Sequence, residues 1–318
     1  RAVGVLRAMQ PDLASRTERV TVAGQRGGDV SVVRGEQGAA ATEAGPALIA
    51  RLAPDKNRPM ALGLWSCFMP TGIALTMLCG PLFPNWQAVW MGGAIAATIV
   101  FLTALAVLPP SQTATQFSRR EFYADIRATL VSGSPVVLAV IFALYSLQFF
   151  AIFSFLPVLL IERLHVSLQA AGMLSALATA MNISGNLAAG ILIGKGVQRW
   201  LLIAIATLVM GLCSLGIFLP VLPNSAILLL CMLFSATGGL IPATLLATAP
   251  MLSPEPRLAP FTMGLLMQGS NFGQVIGPFA VGTIIQIFGW TSVVTVSSLA
   301  AVLCIAMSLL LRQALLVR

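Results

Sequence analysis

From Pro59 onward, apolar residues run in eight long blocks that short polar connections separate. The blocks lie near 59–83, 88–108, 136–161, 169–193, 200–219, 226–249, 260–284 and 291–311. Each block is long enough for a helix to cross about 30 Å of hydrocarbon, whereas a membrane barrel would show alternating segments of about 10 residues. A water-soluble all-helical protein is the competing interpretation, but uncharged blocks of this length disfavour it. We predict an all-α, polytopic membrane helix bundle of about eight transmembrane helices.

Composition supports the membrane class. The chain is 58% hydrophobic and 9% charged, whereas a soluble domain has roughly 25% charged residues. The five cysteines all fall inside apolar blocks, so no secreted disulfide framework is indicated.

The net charge of +8 follows membrane topology, not nucleic-acid binding. Basic residues occupy alternate connections, while the intervening ones hold only Arg163: Arg51, Lys56, Arg58, Arg119, Arg120, Arg127, Lys195, Arg199, Arg257, Arg312 and Arg318. The positive-inside rule places these connections, and both ends of the bundle, in the cytoplasm. We predict a multi-pass protein of the cell inner membrane that has the lipid bilayer, and no nucleic acid, as its surroundings.

Residues 1–46 differ in composition from the rest. They are polar and charged, they contain no apolar block, and the first residue is Arg1. We interpret 1–46 as a segment that is either unstructured or a misread start, and we assign no structure to it.

One glycine pattern occurs twice. Both copies read Gly, three residues, a small residue, three residues, Gly-Pro: once from Gly72 to Gly80 and Pro81, and once as Gly269, Gly273, Gly277 and Pro278. Each follows a similar short loop, at 52–55 and at 252–255, which favours an internal duplication over coincidence. Glycines four apart allow a neighbouring helix backbone to approach closely. We expect these residues to set close packing and to let the two helices shift.

Amide and hydroxyl side chains cluster on some blocks. Ser175, Thr179, Asn182 and Asn186 share one face of 169–193 at the helical period, and Tyr145 and Gln148 lie one turn apart. Amides that face lipid would leave donors and acceptors unpaired, so they must face other helices or water. They are either interhelical bonds or the lining of a central cavity. Blocks 88–108 and 200–219 are nearly free of strongly polar groups, and 291–311 adds only hydroxyls, so these three are predicted to face lipid.

Catalytic and metal-binding patterns are missing from the sequence. No Asp, Glu, Lys, Arg or His lies inside any block, where a charge usually marks a proton or ion site. No nucleophile elbow, P-loop or His-Glu-x-x-His occurs, and His165 has no partner at metal-ligand spacing. We expect no enzyme activity, no cofactor and no metal.

The chain resembles the major facilitator superfamily, from that fold's fifth helix to its twelfth. Within it, the sequence is most similar to the cyanate and nitroimidazole transporter branch. The residues that carry the resemblance are Met69 to Gly72, Gly80-Pro81, Asn85-Trp86, Leu144 to Gln148, Asn186 to Gly190, Gly194-Lys195-Gly196, Gln268 to Asn271, and Gly277-Pro278.

The resemblance implies a domain organisation and a function. It assigns 47–108 to the remnant of an N-terminal half whose first helices are missing, 109–135 to a central cytoplasmic loop, 136–312 to a C-terminal six-helix half, and 313–318 to a tail. It implies a secondary active transporter that moves a small polar or weakly ionised solute by alternating access. Cyanate, nitrate, a nitroimidazole or an organic anion are such solutes, and proton coupling stays open. Predicted solute contacts are Tyr145, Gln148, Asn182, Gln268 and Asn271, with Thr179 and Asn186 as second choices.

Two other functions stay open. The chain could be a non-transporting fragment or a membrane assembly partner. It could also be a multidrug efflux antiporter, in which efflux of bulky cations would depend on the glycines of 59–83.

Overall fold

The structure, a computed structural model, describes residues 49, 53–54, 56–107, 119–219 and 222–316. The predictions for segment 1–46, for Arg51 and for Arg318 lie outside these residues. So does the whole of 108–118, which belongs mostly to the predicted central loop.

The described residues form twelve α-helices and no strand. We name them α1 (Arg58–Ser66), α2 (Phe68–Cys79), α3 (Trp86–Val107), α4 (Arg119–Val131), α5 (Ser134–Phe153), α6 (Leu156–Leu164), α7 (Leu168–Gly194), α8 (Arg199–Phe218), α9 (Ser225–Gly238), α10 (Leu240–Leu252), α11 (Ala259–Phe288) and α12 (Val293–Leu316). Short 3-10 turns at Gly80–Leu82, Pro256–Leu258 and Trp290–Ser292 join some of them.

Eight helical stretches of the described chain are long and apolar enough to span a membrane, which confirms the predicted all-α class. They are Arg58–Cys79, Trp86–Thr103, Ser134–Phe153, Leu168–Gly194, Arg199–Phe218, Ala226–Leu252, Pro256–Phe288 and Trp290–Leu316. Each corresponds to one apolar block of the sequence. The short helices α1 and α2 share one span, as do α9 and α10.

Two of the spans of the described chain are interrupted or followed at once by a separate short helix. Helix α5 ends at Phe153, and α6 begins at Leu156 with Pro157 in its first turn. Proline lacks the amide hydrogen that a helix interior needs, so it starts the next helix instead of continuing the previous one. Helices α9 and α10 are likewise separated at Gly239.

Three glycines of α11 form its contact with α5. A Cβ atom at Gly269 or Gly273 would strike the carbonyl oxygen of Ala139 or Ala143, and one at Gly277 would lie 2.6 Å from Leu147 O. Within this contact the hydroxyls of Ser146 and Ser270 are 2.9 Å apart and buried. The two helices therefore meet backbone to backbone, as small residues at a membrane helix interface allow.

The other copy of the glycine pattern behaves differently. A Cβ at Gly72 or Gly80 would meet nothing within 4 Å among the described residues. The described residues therefore provide no partner for Gly72 of α2 or for Gly80 of the following 3-10 turn, and close packing there stays a prediction. Close backbone contacts occur instead at Gly185 and Gly239, which bring α7 against the α9–α10 junction, and at Gly63, where a Cβ would lie 2.8 Å from Asn186 O.

The lipid-facing prediction holds for one helix and fails for another. No residue in the apolar window of α3 is buried, whereas half of the α8 window is buried, including Ile203 and Met210. The prediction that block 200–219 faces lipid is therefore wrong for one side of α8, and a third of the window that contains α12 is buried too. Leucine and isoleucine suit lipid and protein interior equally, so hydropathy alone cannot separate the two.

The central loop contains a helix that the search for apolar blocks did not predict. Helix α4 carries charged residues on its exposed side, and Phe122 packs on Phe261 of α11 with ring centroids 5.6 Å apart. Arg257 Nη1 lies 2.7 Å from Asp125 Oδ1, and Arg257 Nε donates to Glu255 Oε2 at 2.6 Å. An amphipathic helix docked by one ring contact and one ion pair therefore sits at the base of α11.

We expect Asp125→Asn to destabilise this docking only slightly. The Arg257 side chain is 46% exposed, and pairs of this kind contribute about 0.2–1 kcal/mol. A double-mutant cycle with Arg257→Gln, read from the free energy of unfolding in detergent, measures the coupling. A coupling well above that range would show that the pair has a larger role than docking α4.

Candidate functional site

One cleft opens between α2, α5, α7, α10 and α11. It encloses about 590 Å³, with its mouth included. Most of the lining is apolar, and it includes the rings of Phe68, Phe142, Tyr145, Phe149 and Phe150. None of the described residues that line it is charged. A mostly apolar cleft with a few polar side chains is typical of small-molecule sites.

The aromatic wall comes from the spacing of residues along α5. Phe142, Tyr145, Phe149 and Phe153 recur at three or four residues, so they share one helix face. Tyr145 lies 6.0 Å from Phe142 and 5.9 Å from Phe149 between ring centroids, and Phe149 stacks on Phe153 at 4.4 Å. This spacing is visible in the sequence, but of these four residues only Tyr145 was predicted to contact a solute.

Asn182 links three helices at the inner end of the cleft. Its Nδ2 donates to Tyr145 Oη at 3.1 Å and to Ser235 O at 3.0 Å, and its Oδ1 accepts from Asn186 Nδ2 at 2.7 Å. Asn182 is 2% exposed. Both of its amide hydrogens are therefore used by the protein, and its side chain holds α5, α7 and α9 together.

Asn186 and Thr179 lie behind this layer and do not line the cleft. Asn186 is fully buried, and its Oδ1 accepts a hydrogen bond from Ser66 Oγ of α1 at 2.5 Å. The Thr179 hydroxyl donates to Ser175 O at 2.8 Å. For these two residues, hydrogen bonding inside the bundle describes the geometry better than solute contact.

Two polar side chains at the cleft keep unused hydrogen-bonding capacity. Tyr145 Oη accepts from Asn182, and its own proton has no acceptor among the described residues. Asn271 of α11 is exposed at the cleft, and its amide bonds to no described residue. By contrast, Ser270 contacts the Ser146 hydroxyl and accepts from Gln274 Nε2 at 3.1 Å.

Gln148 and Gln268 are not among the residues that line the cleft. Gln148 is 1% exposed, and its Oε1 has no hydrogen-bond partner in the described part of the chain. Gln268 is exposed on α11. Of the seven predicted solute contacts, the structure thus brings Tyr145, Asn182 and Asn271 to the cleft. Among the described residues, no group of three or more His, Cys, Asp or Glu could hold a metal ion.

The fold is similar to that of a solved transporter. The crystal structure of the human organic anion transporter MFSD10 (TETRAN) aligns with a TM-score of 0.66 at 19% sequence identity. The alignment covers 83% of this chain and 66% of that one, so this chain spans just under two thirds of its length. At this identity the likeness concerns the fold. No curated protein matches the sequence at a significant level.

A family assignment completes the comparison. The sequence model of the Major Facilitator Superfamily matches residues 32–259, which is more than half of the chain. That range covers the first six spans and the start of the seventh. The chain is therefore a multi-pass membrane protein that belongs to the Major Facilitator Superfamily.

Proposed function

We propose that this chain acts in a secondary transporter, and that the cleft between α2, α5, α7, α10 and α11 is where it holds a small solute. The observation that carries the proposal is the Tyr145 hydroxyl. It stands in an uncharged aromatic cleft, Asn182 fixes its position, and its proton is unused. Superfamily membership supports transport by alternating access around such a site.

The lining favours a neutral or weakly ionised solute that contains a ring. Tyr145 can donate one hydrogen bond, and Asn271 can donate and accept, while the rings around them offer stacking surfaces. An ion without a countercharge would lose much of its hydration free energy in this lining. A nitroimidazole-like solute therefore suits the cleft better than cyanate or nitrate does, and an organic anion would need a cation from outside the described residues.

The transporter branch, the membrane orientation and the domain organisation are proposed from the sequence. We place the chain in the cyanate and nitroimidazole transporter branch on its sequence resemblance, which begins at the fifth helix of that fold. We place both ends of the bundle in the cytoplasm, at the inner membrane, on the distribution of basic residues. Residues 136–312 would form the C-terminal six-helix half, and six of the eight spans begin at or after Ser134. Residues 47–108 would belong to the N-terminal half.

Tyr145→Phe is the sharpest test of the cleft. It removes one hydroxyl and keeps the ring, so we expect solute affinity to fall about 2- to 10-fold, the range that one neutral hydrogen bond supplies. Binding and uptake of 2-nitroimidazole by the full chain in proteoliposomes would measure this. The chain's other tyrosine, Tyr123, is exposed on α4, and Tyr123→Phe is the matched control. Unchanged affinity in Tyr145→Phe, or an equal loss in both variants, would contradict the assignment.

An assembly partner that does not itself transport is the second candidate. The observation in its favour is α3, whose apolar stretch Trp86–Thr103 contains no buried residue among those described. Proteoliposomes that contain only this chain separate the two functions, because an assembly partner alone would bind 2-nitroimidazole no better than empty vesicles and would move none.

A multidrug efflux antiporter remains the third candidate. Aromatic rings also attract organic cations through their faces. Such binding would survive Tyr145→Phe and would weaken in Phe149→Leu, which removes a ring of the lining.

A further inference from the structure

Two basic residues precede one tryptophan in the sequence where α8 begins, and a third stacks on its ring from the end of α12. This basic cluster consists of Lys195, Arg199 and Arg312, with Trp200 among them. The Arg312 guanidinium carbon lies 5.0 Å from the centroid of the Trp200 ring. Trp200 Nε1 donates to Gln198 Oε1 at 2.7 Å, which fixes the orientation of the ring. The arrangement is therefore ordered and is more than a set of loose side chains.

The charges of this cluster have no counterpart in the surrounding helices. From Leu168 to Leu316 the sequence contains one acidic residue, Glu255, and that residue bonds to Arg257. Arg199 Nε is buried and has no hydrogen-bond partner among the described residues. The α8 N-terminus also lacks a side-chain cap, so its first amide groups add partial positive charge. A bound anion would neutralise these positive charges.

We propose that the basic cluster binds the phosphate headgroup of an anionic phospholipid. Arginine presents paired donors that match phosphate oxygens, and lysine adds a point charge. Tryptophan is enriched at the level of lipid headgroups, and basic pockets between membrane helices recognise anionic lipids. This inference does not depend on whether the chain transports a solute.

The apolar flank next to the cluster favours a lipid over free phosphate. Beyond Trp200, α8 exposes Ile205, Leu208 and Leu212, and α12 exposes Leu303 and Leu310 before Arg312. These side chains would contact acyl chains directly beneath a bound headgroup. If these basic residues served only to orient the helices in the membrane, neither the apolar flank nor the stacking of Arg312 on Trp200 would be required.

Native mass spectrometry of the full chain in detergent can test the proposal, with phosphatidylglycerol and phosphatidylcholine as probes. We expect selective retention of phosphatidylglycerol. Arg312→Gln, whose side chain is exposed, should weaken retention roughly fivefold, as the loss of one basic side chain near an anionic lipid predicts. Arg199→Gln should act similarly. Trp200→Leu, which keeps every charge, should weaken it less.

Arg120→Gln is the matched control, because Arg120 is an exposed arginine on α4 and lies outside the cluster. It should retain phosphatidylglycerol like the unmodified chain. Equal retention of both lipids, equal loss in Arg120→Gln, or no loss in Arg312→Gln would overturn the proposal. Displacement of the lipid by millimolar inorganic phosphate would also overturn it, since the site would then recognise free phosphate.

Discussion

Gly273→Leu is expected to destabilise the bundle more than any other single substitution considered for this chain. Even a Cβ atom at Gly273 would overlap Ala143 O, and backbone cannot move aside as a flexible side chain can. Overpacking a well-packed core costs about 1–3 kcal/mol, and we expect a loss at or above the top of that range. The thermal unfolding temperature of the purified chain and the amount recovered from membranes would both fall.

The same helix supplies a control. A Cβ at Gly264 would meet nothing within 4 Å among the described residues, so Gly264→Leu should leave the unfolding temperature nearly unchanged. The pair separates steric overlap at the α5–α11 contact from the general effect of a leucine on α11. Equal unfolding temperatures in the two variants would mean that α5 and α11 do not pack as described.

Asn182→Leu should abolish uptake while the chain still inserts into the membrane. An apolar side chain does not hinder insertion of α7, but the substitution removes the bonds to Tyr145, Ser235 and Asn186. Such bonds contribute about 0.6 kcal/mol each in membrane proteins, which gives about 2 kcal/mol for three. The Tyr145 hydroxyl would also lose the partner that positions it. Uptake per inserted molecule is the measurement, beside the unfolding temperature.

Two comparisons make this result interpretable. Asn57→Leu replaces an exposed asparagine whose side chain does not cap α1, and it should leave uptake intact. The double variant Asn182→Leu, Tyr145→Phe should bind 2-nitroimidazole no worse than Asn182→Leu alone, because both changes act through one hydroxyl. Normal uptake by Asn182→Leu would reduce the polar stripe of α7 to interhelical bonding and would remove the cleft as the solute site.

The span count and fold class were predictable because they depend on a local property. The length of an uncharged apolar run decides whether a helix can cross the bilayer, and each run can be measured without knowledge of its neighbours. The interruptions near Pro157 and Gly239 were predictable for the same reason, since proline and glycine act on their own helix.

The polar residues at the cleft were only partly predictable. Helical periodicity places Thr179, Asn182 and Asn186 in one sector of α7, yet only Asn182 reaches the cleft. Asn186 faces Ser66 of α1, and the Thr179 hydroxyl bonds to its own helix. Periodicity gives a direction around the helix axis, but the neighbour that stands in that direction depends on packing between distant segments.

The repeated glycine pattern likewise did not predict which neighbour each helix would contact. The copy on α11 packs against α5, and the copy on α2 meets no backbone among the described residues. A smooth helix surface permits close approach, and a partner of suitable shape must still be present. Helix α4 was missed for a different reason, because its charged face removes it from any search based on apolar runs.

The glycine contact between α5 and α11 also has a mechanical consequence. Two helices that meet at three successive backbone points pack closely, so Tyr145 and Asn271 lie on one wall of the cleft. The facing wall consists of α2 and α7, and the bond from Asn182 to the Tyr145 hydroxyl crosses between them. Widening of the cleft would lengthen and then break this hydrogen bond. The Tyr145 hydroxyl would then be free to bond to a solute instead of Asn182. Solute binding would in this way be coupled to the separation of the two walls.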